Sequence, residues 1–292
     1  MATVALYDGT SMPVLGLGTY RMKTEEQLRP VVFQAIREGY RLIDSATVYR
    51  NEEALGHILK EIFQDPAFDV KREDVFITSK LSPQHQGYDA CYKAVTDSLE
   101  RFGLEYFDLY LIHWPGTAKK KLSDPVNEKN RRESYRALED LYKQGKLKHI
   151  GVSNYTCRHL QDLLDHCTVK PHVHQFELHP CLLQRDILEL CQKNGIQVQA
   201  YSSLGEGRLV KEDIIPSLSE MAARYGKSKA QVLLRWAVQH GWTVIPKSSS
   251  ADRVKENADI FSFNLKDEDV EELDKVHSAH PHRFCWDPTD IF

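Results

Sequence analysis

Four residues with complementary chemistry lie at the ends of short apolar runs that are typical of buried β-strands. Asp44 ends one run, Tyr49 follows it by five residues, Lys80 ends a second run and His113 follows a third. A phenol is a poor acid at neutral pH, with an unperturbed pKa of about 10, unless a cation stabilises the phenolate. Lys80 can supply that cation, Asp44 can balance Lys80 in an apolar interior, and His113 can orient a polarised oxygen. Together these groups would form a proton donor for an oxygen that gains negative charge, as in carbonyl reduction.

Each of the four residues also has an ordinary structural interpretation. An aspartate at a strand end is more often a helix cap or a turn former, and a lone histidine usually makes a simple polar contact. Tyr49 taken alone would also be assigned a structural role. Four complementary groups at the exits of successive strands reverse that judgement and favour a catalytic site.

Hydrophobic periodicity predicts the elements that position these residues. Apolar runs indicate eight strands, at 14–19, 40–44, 75–79, 107–112, 148–152, 174–177, 196–201 and 242–245. Helical patterns follow them, at 27–38, 52–62, 89–102, 133–144, 156–167, 185–194, 214–225, 228–240, 252–258 and 267–277. This alternation predicts an α/β fold, the (β/α)8 TIM barrel, whose usual size is about 250 residues. The βα loops form the active face of that fold, so residues at strand exits converge.

The segments outside the barrel pattern are also predictable. Residues 4–14 indicate an N-terminal β-hairpin that turns at Asp8 and Gly9, and the tail up to Phe292 is irregular after the extra C-terminal helices. VLGLGT at 14–19 superficially resembles a glycine-rich nucleotide loop, but no helix begins directly after it, so a dinucleotide fingerprint is not assigned. Pro30 fits only in the first turn of the helix at 27–38.

Composition bounds the class of protein. The 292 residues are 41% hydrophobic and 27% charged, without a Pro, Gly or Ser linker, so one barrel domain over 1–292 is expected. The net charge of -4 gives no reason to expect a nucleic-acid or membrane partner. The six cysteines form no CxxC pair and no signal pattern starts the chain, so a reduced, cytoplasmic protein is expected. No dimerisation element is apparent, which leaves a monomer as the expectation.

The segment 115–132 is polar and carries two basic groups. The first is the lysine run 119–121, and the second comprises Lys129, Arg131 and Arg132. Because no aromatic residues interleave with these charges, a solvated loop is favoured over an anion site.

Seven segments resemble, in order and spacing, the motifs of the aldo-keto reductase family. They read LIDSATVYRNE, ITSKL, LIHWP, GVSNY, QFELHP, AYSSLG and IPKSSSADRVKEN. The resemblance extends from GLGTY at 16–20 to NADIFSF at 257–263, which is nearly the whole chain. It implies NADPH-dependent reduction of aldehydes and ketones to alcohols, with hydride transfer from nicotinamide C4. By this resemblance Tyr49 is the proton donor, Asp44 and Lys80 tune it, and His113 orients the carbonyl.

The same resemblance implies a binding site for NADPH. Ser153, Asn154 and Gln175 would hold the nicotinamide carboxamide, whose donor and acceptor match amide side chains, and Tyr201 would stack on the ring. The pyrophosphate would be lined by Ser202 and Leu204. The 2'-phosphate and the adenine edge would meet Lys247, Ser248, Arg253, Glu256 and Asn257. Cations that grip a 2'-phosphate favour NADPH over NADH, because NADH offers them no phosphate.

The substrate pocket is expected to be open. Tyr20, Trp114 and Trp286 are candidate apolar walls beside His113, and Phe284 with Cys285 could reach in from the tail. A pocket that accepts small or aromatic aldehydes and α-dicarbonyls is the hypothesis.

Arg50 departs from the family pattern, which often has glycine after the tyrosine. His174 replaces a more frequent asparagine, but Gln175 is retained.

Two alternatives belong to other classes. A noncatalytic barrel that binds NADPH, such as a channel-associated or lens-type protein, would keep the fold without turnover, because fold does not fix function. The complete set of four strand-exit residues disfavours it. A metal-dependent hydrolase barrel is disfavoured because no HxH motif marks the first strand exit, so no metal is predicted.

Overall fold

Eight parallel strands form the centre of the molecule, and the computed structural model describes residues 2–292. In chain order the strands are β3 (Leu17–Gly18), β4 (Leu42–Asp44), β5 (Phe76–Leu81), β6 (Leu109–Ile112), β7 (Ile150–Ser153), β8 (Val173–Glu177), β9 (Gln197–Tyr201) and β10 (Thr243–Val244). Each pairs in parallel with its neighbours in sequence order. Parallel bridges from Leu15 to Val244 and from Gly18 to Lys247 join the two edges. The predicted (β/α)8 barrel is therefore confirmed.

Helices surround the strands in the expected alternation. They are α1 (Glu25–Arg37), α2 (Glu52–Gln64), α3 (Tyr88–Phe102), α4 (Val126–Lys143), α5 (Cys157–His166), α6 (Arg185–Asn194), α7 (Arg208–Lys211), α8 (Leu218–Tyr225), α9 (Lys229–Gln239), α10 (Ala251–Ala258) and α11 (Asp267–Ala279). The short α7 has no counterpart in the predicted set, and α8 begins after Pro216 because a residue before proline is pushed out of the helical region.

The predicted N-terminal hairpin closes the end of the barrel where the strands begin. Its strands, β1 (Thr3–Ala5) and β2 (Ser11–Pro13), pair antiparallel. Leu6 and Met12 are buried against inward-facing residues of the barrel strands, among them Leu109 and Val173. This apolar contact fills the barrel interior below the strand exits, so the strand-exit residues rest on a packed core.

Helix α1 begins earlier than the sequence predicted. Thr24 caps it, and the side chains of Thr24 and Gln27 form a capping box. The start at Glu25 places Pro30 in the second turn and not in the first, so the expectation for Pro30 was wrong. The helix loses one backbone hydrogen bond at this proline, while Val31 and Val32 stay fully buried against the barrel.

The second basic group of the polar segment is not part of a solvated loop. Helix α4 begins at Val126, so Lys129, Arg131 and Arg132 lie on its first turns. Arg131 is only 3% exposed, and its guanidinium donates to the backbone oxygen of Phe292. The prediction failed here because the partner of Arg131 is 161 residues away in sequence.

None of the helices within residues 2–292 has the length and apolar composition needed to cross a membrane.

Candidate active site

A buried ion pair lies at the exits of β4 and β5. Lys80 Nζ donates to Asp44 Oδ1 at 2.6 Å and to the backbone oxygen of Ser45 at 2.8 Å. It also lies 3.4 Å from the hydroxyl oxygen of Tyr49. Lys80 is fully buried and Asp44 nearly so. Lys80 is thus within hydrogen-bond distance of two of the other three residues predicted from the strand exits.

The pKa of Tyr49 moves in the opposite direction from the one the sequence suggested. Burial raises the pKa of Tyr49 well above its ordinary value of 10.0, and the carboxylate of Asp44 raises it further. Burial also lowers the pKa of Lys80, although Asp44 opposes that change. The charge of Lys80 is balanced by Asp44 and does not overcome the penalty of burying a phenolate. Tyr49 therefore keeps its proton at neutral pH, which is the state a proton donor requires.

His113 completes the group as a neutral ring. Its centroid lies 5.8 Å from that of Tyr49 in an edge-on arrangement. Burial and then the charge of Lys80 hold the pKa of His113 well below 6.5. The buried Nδ1 atom has no hydrogen-bond partner among residues 2–292. Because orphaned buried N–H donors are rare, the ring proton is assigned to Nε2. His113 can then donate one hydrogen bond without being an acid at neutral pH.

Sequence reasoning missed the residue that holds the Tyr49 loop in place. Asn51 is 1% exposed, accepts a hydrogen bond from the Ser45 hydroxyl at 2.7 Å and donates to the backbone oxygens of Thr19 at 3.1 Å and Met22 at 2.8 Å. Asn51 precedes helix α2, so its type and place suggest only a helix cap, yet its side chain makes no cap bond. It joins the tyrosine loop to the loop that follows the first barrel strand.

A second missed network lies behind Lys80. The buried carboxylate of Glu52 accepts from the hydroxyl of Ser79 at 2.6 Å and from Arg101 Nε at 2.8 Å. Ser79 directly precedes Lys80 on β5, so this network fixes the strand that carries the lysine. Its partners come from three separate segments, and no local sequence pattern connects them.

Three residues predicted for the cofactor lie at the ends of β7 and β9, the two strands that flank β8 in the barrel. Ser153 ends β7, Asn154 follows it with a left-handed φ of 59°, and Tyr201 ends β9. The hydroxyl of Tyr201 donates to Asn154 Oδ1 at 2.6 Å, and Asn154 Nδ2 donates to the backbone oxygen of His113 at 2.9 Å. The Tyr201 ring is therefore fixed beside the loop that carries His113.

Gln175 is the register partner of Ser153 on the next strand. Its Nε2 atom donates to Asp44 Oδ2 at 2.9 Å and to Gln199 Oε1 at 2.7 Å. Sequence reasoning missed Gln199, a buried amide inside β9 whose own Nε2 atom has no partner among residues 2–292. The predicted cofactor residue thus also binds the second carboxylate oxygen of Asp44.

A cluster of cations lies where the phosphates were predicted. Burial lowers the pKa of Lys247, and the charges of Arg21 and Arg253 lower it further, because the three cations are close. Arg21 forms an ion pair with Glu206 at 3.5 Å, whereas neither Lys247 nor Arg253 forms one within residues 2–292. Three neighbouring cations with one carboxylate partner among them are suited to bind an anionic ligand. Arg21 was not among the predicted residues.

The other residues predicted for the cofactor make contacts within the protein. Ser248 exchanges hydrogen bonds with Ser250, both at 3.1 Å, and the carboxylate of Glu256 accepts from the Ser228 hydroxyl. Asn257 is buried on α10, and Leu204 is half-buried. The Ser202 hydroxyl lies 3.3 Å from the thiol of Cys285 in the tail. Lys247 and Arg253 are therefore the charged residues of the predicted set whose side chains make no hydrogen bond or ion pair within residues 2–292.

Aromatic rings flank the tyrosine and the histidine. Tyr20 lies 5.1 Å from Tyr49 between ring centroids, Trp114 stacks beside His113 at 6.2 Å, and Trp286 packs on Trp114 at 4.9 Å. Tyr20 is 47% exposed and Trp286 is 50% exposed. The three aromatic residues predicted to line the substrate pocket therefore lie beside Tyr49 and His113, and two of them are exposed to solvent.

Arg50 has a left-handed backbone, with φ 57° and ψ 41°, and its side chain is exposed. This conformation is unfavourable for a residue with a Cβ by roughly 1–2 kcal/mol, an effect that glycine's greater chain entropy offsets in part. We expect Arg50→Gly to raise the free energy of unfolding by about 0.5–1 kcal/mol in urea denaturation. Arg50→Ala removes the charge but retains the strain, so it should match the wild type. Equal stabilisation by both variants would assign the effect to charge.

No group of three or more His, Cys, Asp or Glu side chains within the described residues 2–292 could hold a metal ion.

The barrel and its strand-exit groups define an oxidoreductase of a known class. The model of the aldo/keto reductase family matches residues 14–278, and the chain belongs to this family. Its members reduce carbonyl compounds, so the coarse activity of the chain is carbonyl reduction.

Relatives and solved structures agree with this assignment. Glyoxal reductase of Bacillus subtilis (strain 168) is 43% identical over 94% of this chain and 92% of its own length. The 9,11-endoperoxide prostaglandin H2 reductase of Trypanosoma cruzi (strain CL Brener) is 39% identical over 99% and 95%. An aldo-keto reductase of Bombyx mori, solved in complex with NADP, superposes with a TM-score of 0.85 at 30% identity, covering 97% of this chain and 94% of that one.

Proposed function

We propose that this chain is an NADPH-dependent reductase of aldehydes and ketones that produces alcohols. The observation that carries the proposal is the contact of Lys80 with both Asp44 and Tyr49 beside a neutral His113. A half-buried, protonated phenol next to a neutral imidazole is suited to protonate an oxygen that gains charge.

The residues divide the chemistry among themselves. His113 Nε2 donates a hydrogen bond to the carbonyl oxygen and orients it, and Tyr49 gives its proton to that oxygen. Lys80 lies near the phenol and balances the negative charge that remains on it. Asp44 holds Lys80 in place through their ion pair, and Gln175 holds Asp44 by a hydrogen bond. NADPH supplies the hydride when it is bound. Burial excludes water, which strengthens each of these interactions.

The cofactor would lie across the exits of β7 to β10. Ser153, Asn154 and Gln175 would bind the carboxamide, and Tyr201 would stack on the ring. Lys247 and Arg253 would contact phosphate. The support for NADPH is that these two cations have no carboxylate partner within the described residues, and that the Bombyx mori relative was solved with NADP.

The substrates proposed are small or aromatic aldehydes and α-dicarbonyls. The aromatic walls Tyr20, Trp114 and Trp286 would contact the apolar part of the substrate, and their exposure leaves the site open to compounds of different size. The name glyoxal reductase of the Bacillus subtilis relative supports dicarbonyl compounds as one class. The test is a steady-state panel of methylglyoxal, 4-nitrobenzaldehyde and 9,10-phenanthrenequinone. Turnover only with bulky steroids would refute this substrate class.

Arg253 is expected to discriminate between the two nicotinamide cofactors. Arg253→Ala removes a cation that would contact the 2'-phosphate, so the Kd for NADPH should rise by about 10- to 100-fold, or about 1.4–2.8 kcal/mol. The Kd for NADH should change by less than about twofold, since NADH has no such phosphate. Fluorescence titration of each cofactor measures both values. Arg37→Ala on helix α1 serves as a charge control and should leave both values unchanged. An equal loss for NADPH and NADH would contradict the assignment.

The rate of reduction is expected to be nearly independent of pH around neutrality. The lowered pKa of His113 means that the ring becomes protonated only well below 6.5, and the raised pKa of Tyr49 means that the phenol ionises only above 10. We therefore expect kcat/KM for 4-nitrobenzaldehyde to vary by less than about twofold between about pH 6 and pH 9. A transition centred near pH 6.5 would show that His113 titrates and is not the neutral group assigned here.

A further inference from the structure

One buried carboxylate of the barrel binds two consecutive backbone amides of the C-terminal tail. Glu177 ends β8 and is 1% exposed. Its Oε1 atom accepts a hydrogen bond from the backbone N–H of Phe284 at 2.7 Å, and its Oε2 atom accepts one from Cys285 at 3.0 Å. His179 Nε2 lies 2.9 Å from Oε1. Two consecutive tail amides therefore share one carboxylate that projects from the active-site end of a barrel strand.

The charge state of this carboxylate favours the contact. Burial alone would raise the pKa of Glu177, but the hydrogen bonds from His179, Phe284 and Cys285 outweigh it, so the pKa is lowered. Glu177 is therefore ionised at neutral pH, and charge-assisted hydrogen bonds to an anion are the stronger kind.

The residues directly after this contact form one wall of the proposed substrate site. The Cys285 thiol lies 3.3 Å from the hydroxyl of Ser202, and Trp286 packs on Trp114, which in turn stacks beside His113. Trp286 is 50% exposed, so packing on Trp114 is the main restraint on its own side chain. The backbone contact to Glu177 lies one residue away and sets where that ring can reach.

The far end of the tail is fixed independently. Ile291 is fully buried, its backbone oxygen accepts from His159 Nε2 at 2.9 Å, and the N–H of Phe292 donates to the backbone oxygen of Leu122 at 2.7 Å. The cavity beneath the tail, lined in part by Glu177 and Asp287, admits only about one water molecule. Release of the first attachment would therefore let the segment around Trp286 move outward while the terminus stays in place.

We infer that Glu177 is a positioning residue for substrate selectivity, which holds the tail so that Trp286 and Trp114 form a wall against the aromatic part of a carbonyl substrate. Glu177 touches neither the carbonyl nor the cofactor in this role. The inference rests on the proposed function for its kinetic consequence, but the attachment of the tail can be tested without turnover.

The kinetic test compares an aromatic and a small substrate. Glu177→Gln should raise KM for 4-nitrobenzaldehyde by about five- to tenfold with kcat within about twofold, because binding to the wall is lost while the chemical step is retained. KM for methylglyoxal, which has no aromatic part to pack on this wall, should change by less than twofold. Trp286→Ala should reproduce this pattern, and the double variant should add little, because both changes remove the same wall.

Glu139 offers a matched control. It is also buried, and its carboxylate accepts the consecutive backbone N–H groups of Thr168 and Val169, before strand β8 begins and away from the strand exits. Glu139→Gln should lower stability to a similar extent without altering the ratio of kcat/KM for the two substrates. An unchanged ratio in Glu177→Gln, or an equal shift in both Glu variants, would overturn the inference.

Hydrogen exchange of the full chain tests the attachment itself. The amides of Phe284 and Cys285 should exchange at least about tenfold faster in Glu177→Gln, while the amide of Phe292 stays protected. If Glu177→Gln fails to fold, Glu177→Asp, which keeps the charge on a shorter side chain, should give a smaller increase in the exchange rates of these two amides. Unchanged exchange in the folded variant would refute the attachment. If the wild type reduces no carbonyl but the exchange result holds, the proposed function fails and the attachment stands.

Discussion

Tyr49→Phe should lower kcat for carbonyl reduction by about 10²- to 10⁴-fold, the range over which positioned proton donors contribute. The Tyr49 hydroxyl lies 3.4 Å from Lys80 Nζ, and its raised pKa keeps it protonated at neutral pH. Phenylalanine keeps the ring packed against Tyr20 and His113 but has no proton to give. The Kd for NADPH should change by less than about twofold, which fluorescence titration measures alongside initial rates.

Tyr155→Phe is the matched control for this substitution. Tyr155 is also buried, and its hydroxyl has no hydrogen-bond partner among residues 2–292. Removal of that hydroxyl should leave kcat within about twofold, because the residue lies outside the proposed catalytic set. A Tyr49→Phe variant that retains more than a tenth of wild-type kcat would show that another group delivers the proton.

Lys80→Met should be the most destabilising single change in the site. The substitution leaves the carboxylate of Asp44 buried without its cation and leaves the backbone oxygen of Ser45 without its donor. Breaking a buried ion pair from one side typically lowers the free energy of unfolding by about 3–5 kcal/mol. Urea denaturation followed by circular dichroism measures this loss, and reduction should fall strongly as well because the phenol loses its neighbouring charge.

The double variant Asp44→Asn/Lys80→Met separates stability from catalysis. It removes both charges, so most of the lost free energy of unfolding should return, since a neutral pair avoids the cost of an uncompensated ion. Catalytic activity should not return, because no cation remains beside Tyr49. If Lys80→Met is as stable as the wild type, the pair is not charged in the folded protein and its proposed role is wrong.

The sequence was most informative where local pattern and structure coincide. Apolar runs identified each barrel strand, and helix α6 matches its predicted range of 185–194, because both of its ends carry local signals. The proximity of Asp44 and Lys80 followed from topology, since all parallel strands of a closed barrel end on the same side. Its position at a strand exit was therefore sufficient to predict that a residue such as Asp44 or Lys80 lies in the candidate site.

Contacts between distant segments were not predictable in this way. Arg131 looked like one charge of a solvated loop, but it is buried against the tail, and Glu177 lies inside a family motif without any local sign of its tail contact. The direction of the Tyr49 pKa shift also depends on depth of burial, which periodicity does not give. Such features depend on three-dimensional packing between residues more than 100 positions apart.

The proposed reaction is tested most directly by following the hydrogen that is transferred. The protein would be incubated with NADPH carrying deuterium at nicotinamide C4 and with 4-nitrobenzaldehyde, and the alcohol would be analysed by mass spectrometry. NADPH-dependent reduction predicts 4-nitrobenzyl alcohol with one deuterium on the carbinol carbon, formed by the wild type and at least about 100-fold more slowly by Tyr49→Phe. Tight NADPH binding without labelled alcohol from this aldehyde or from methylglyoxal, and without oxidation of NADPH by the quinone, would contradict the proposed function and favour a noncatalytic barrel.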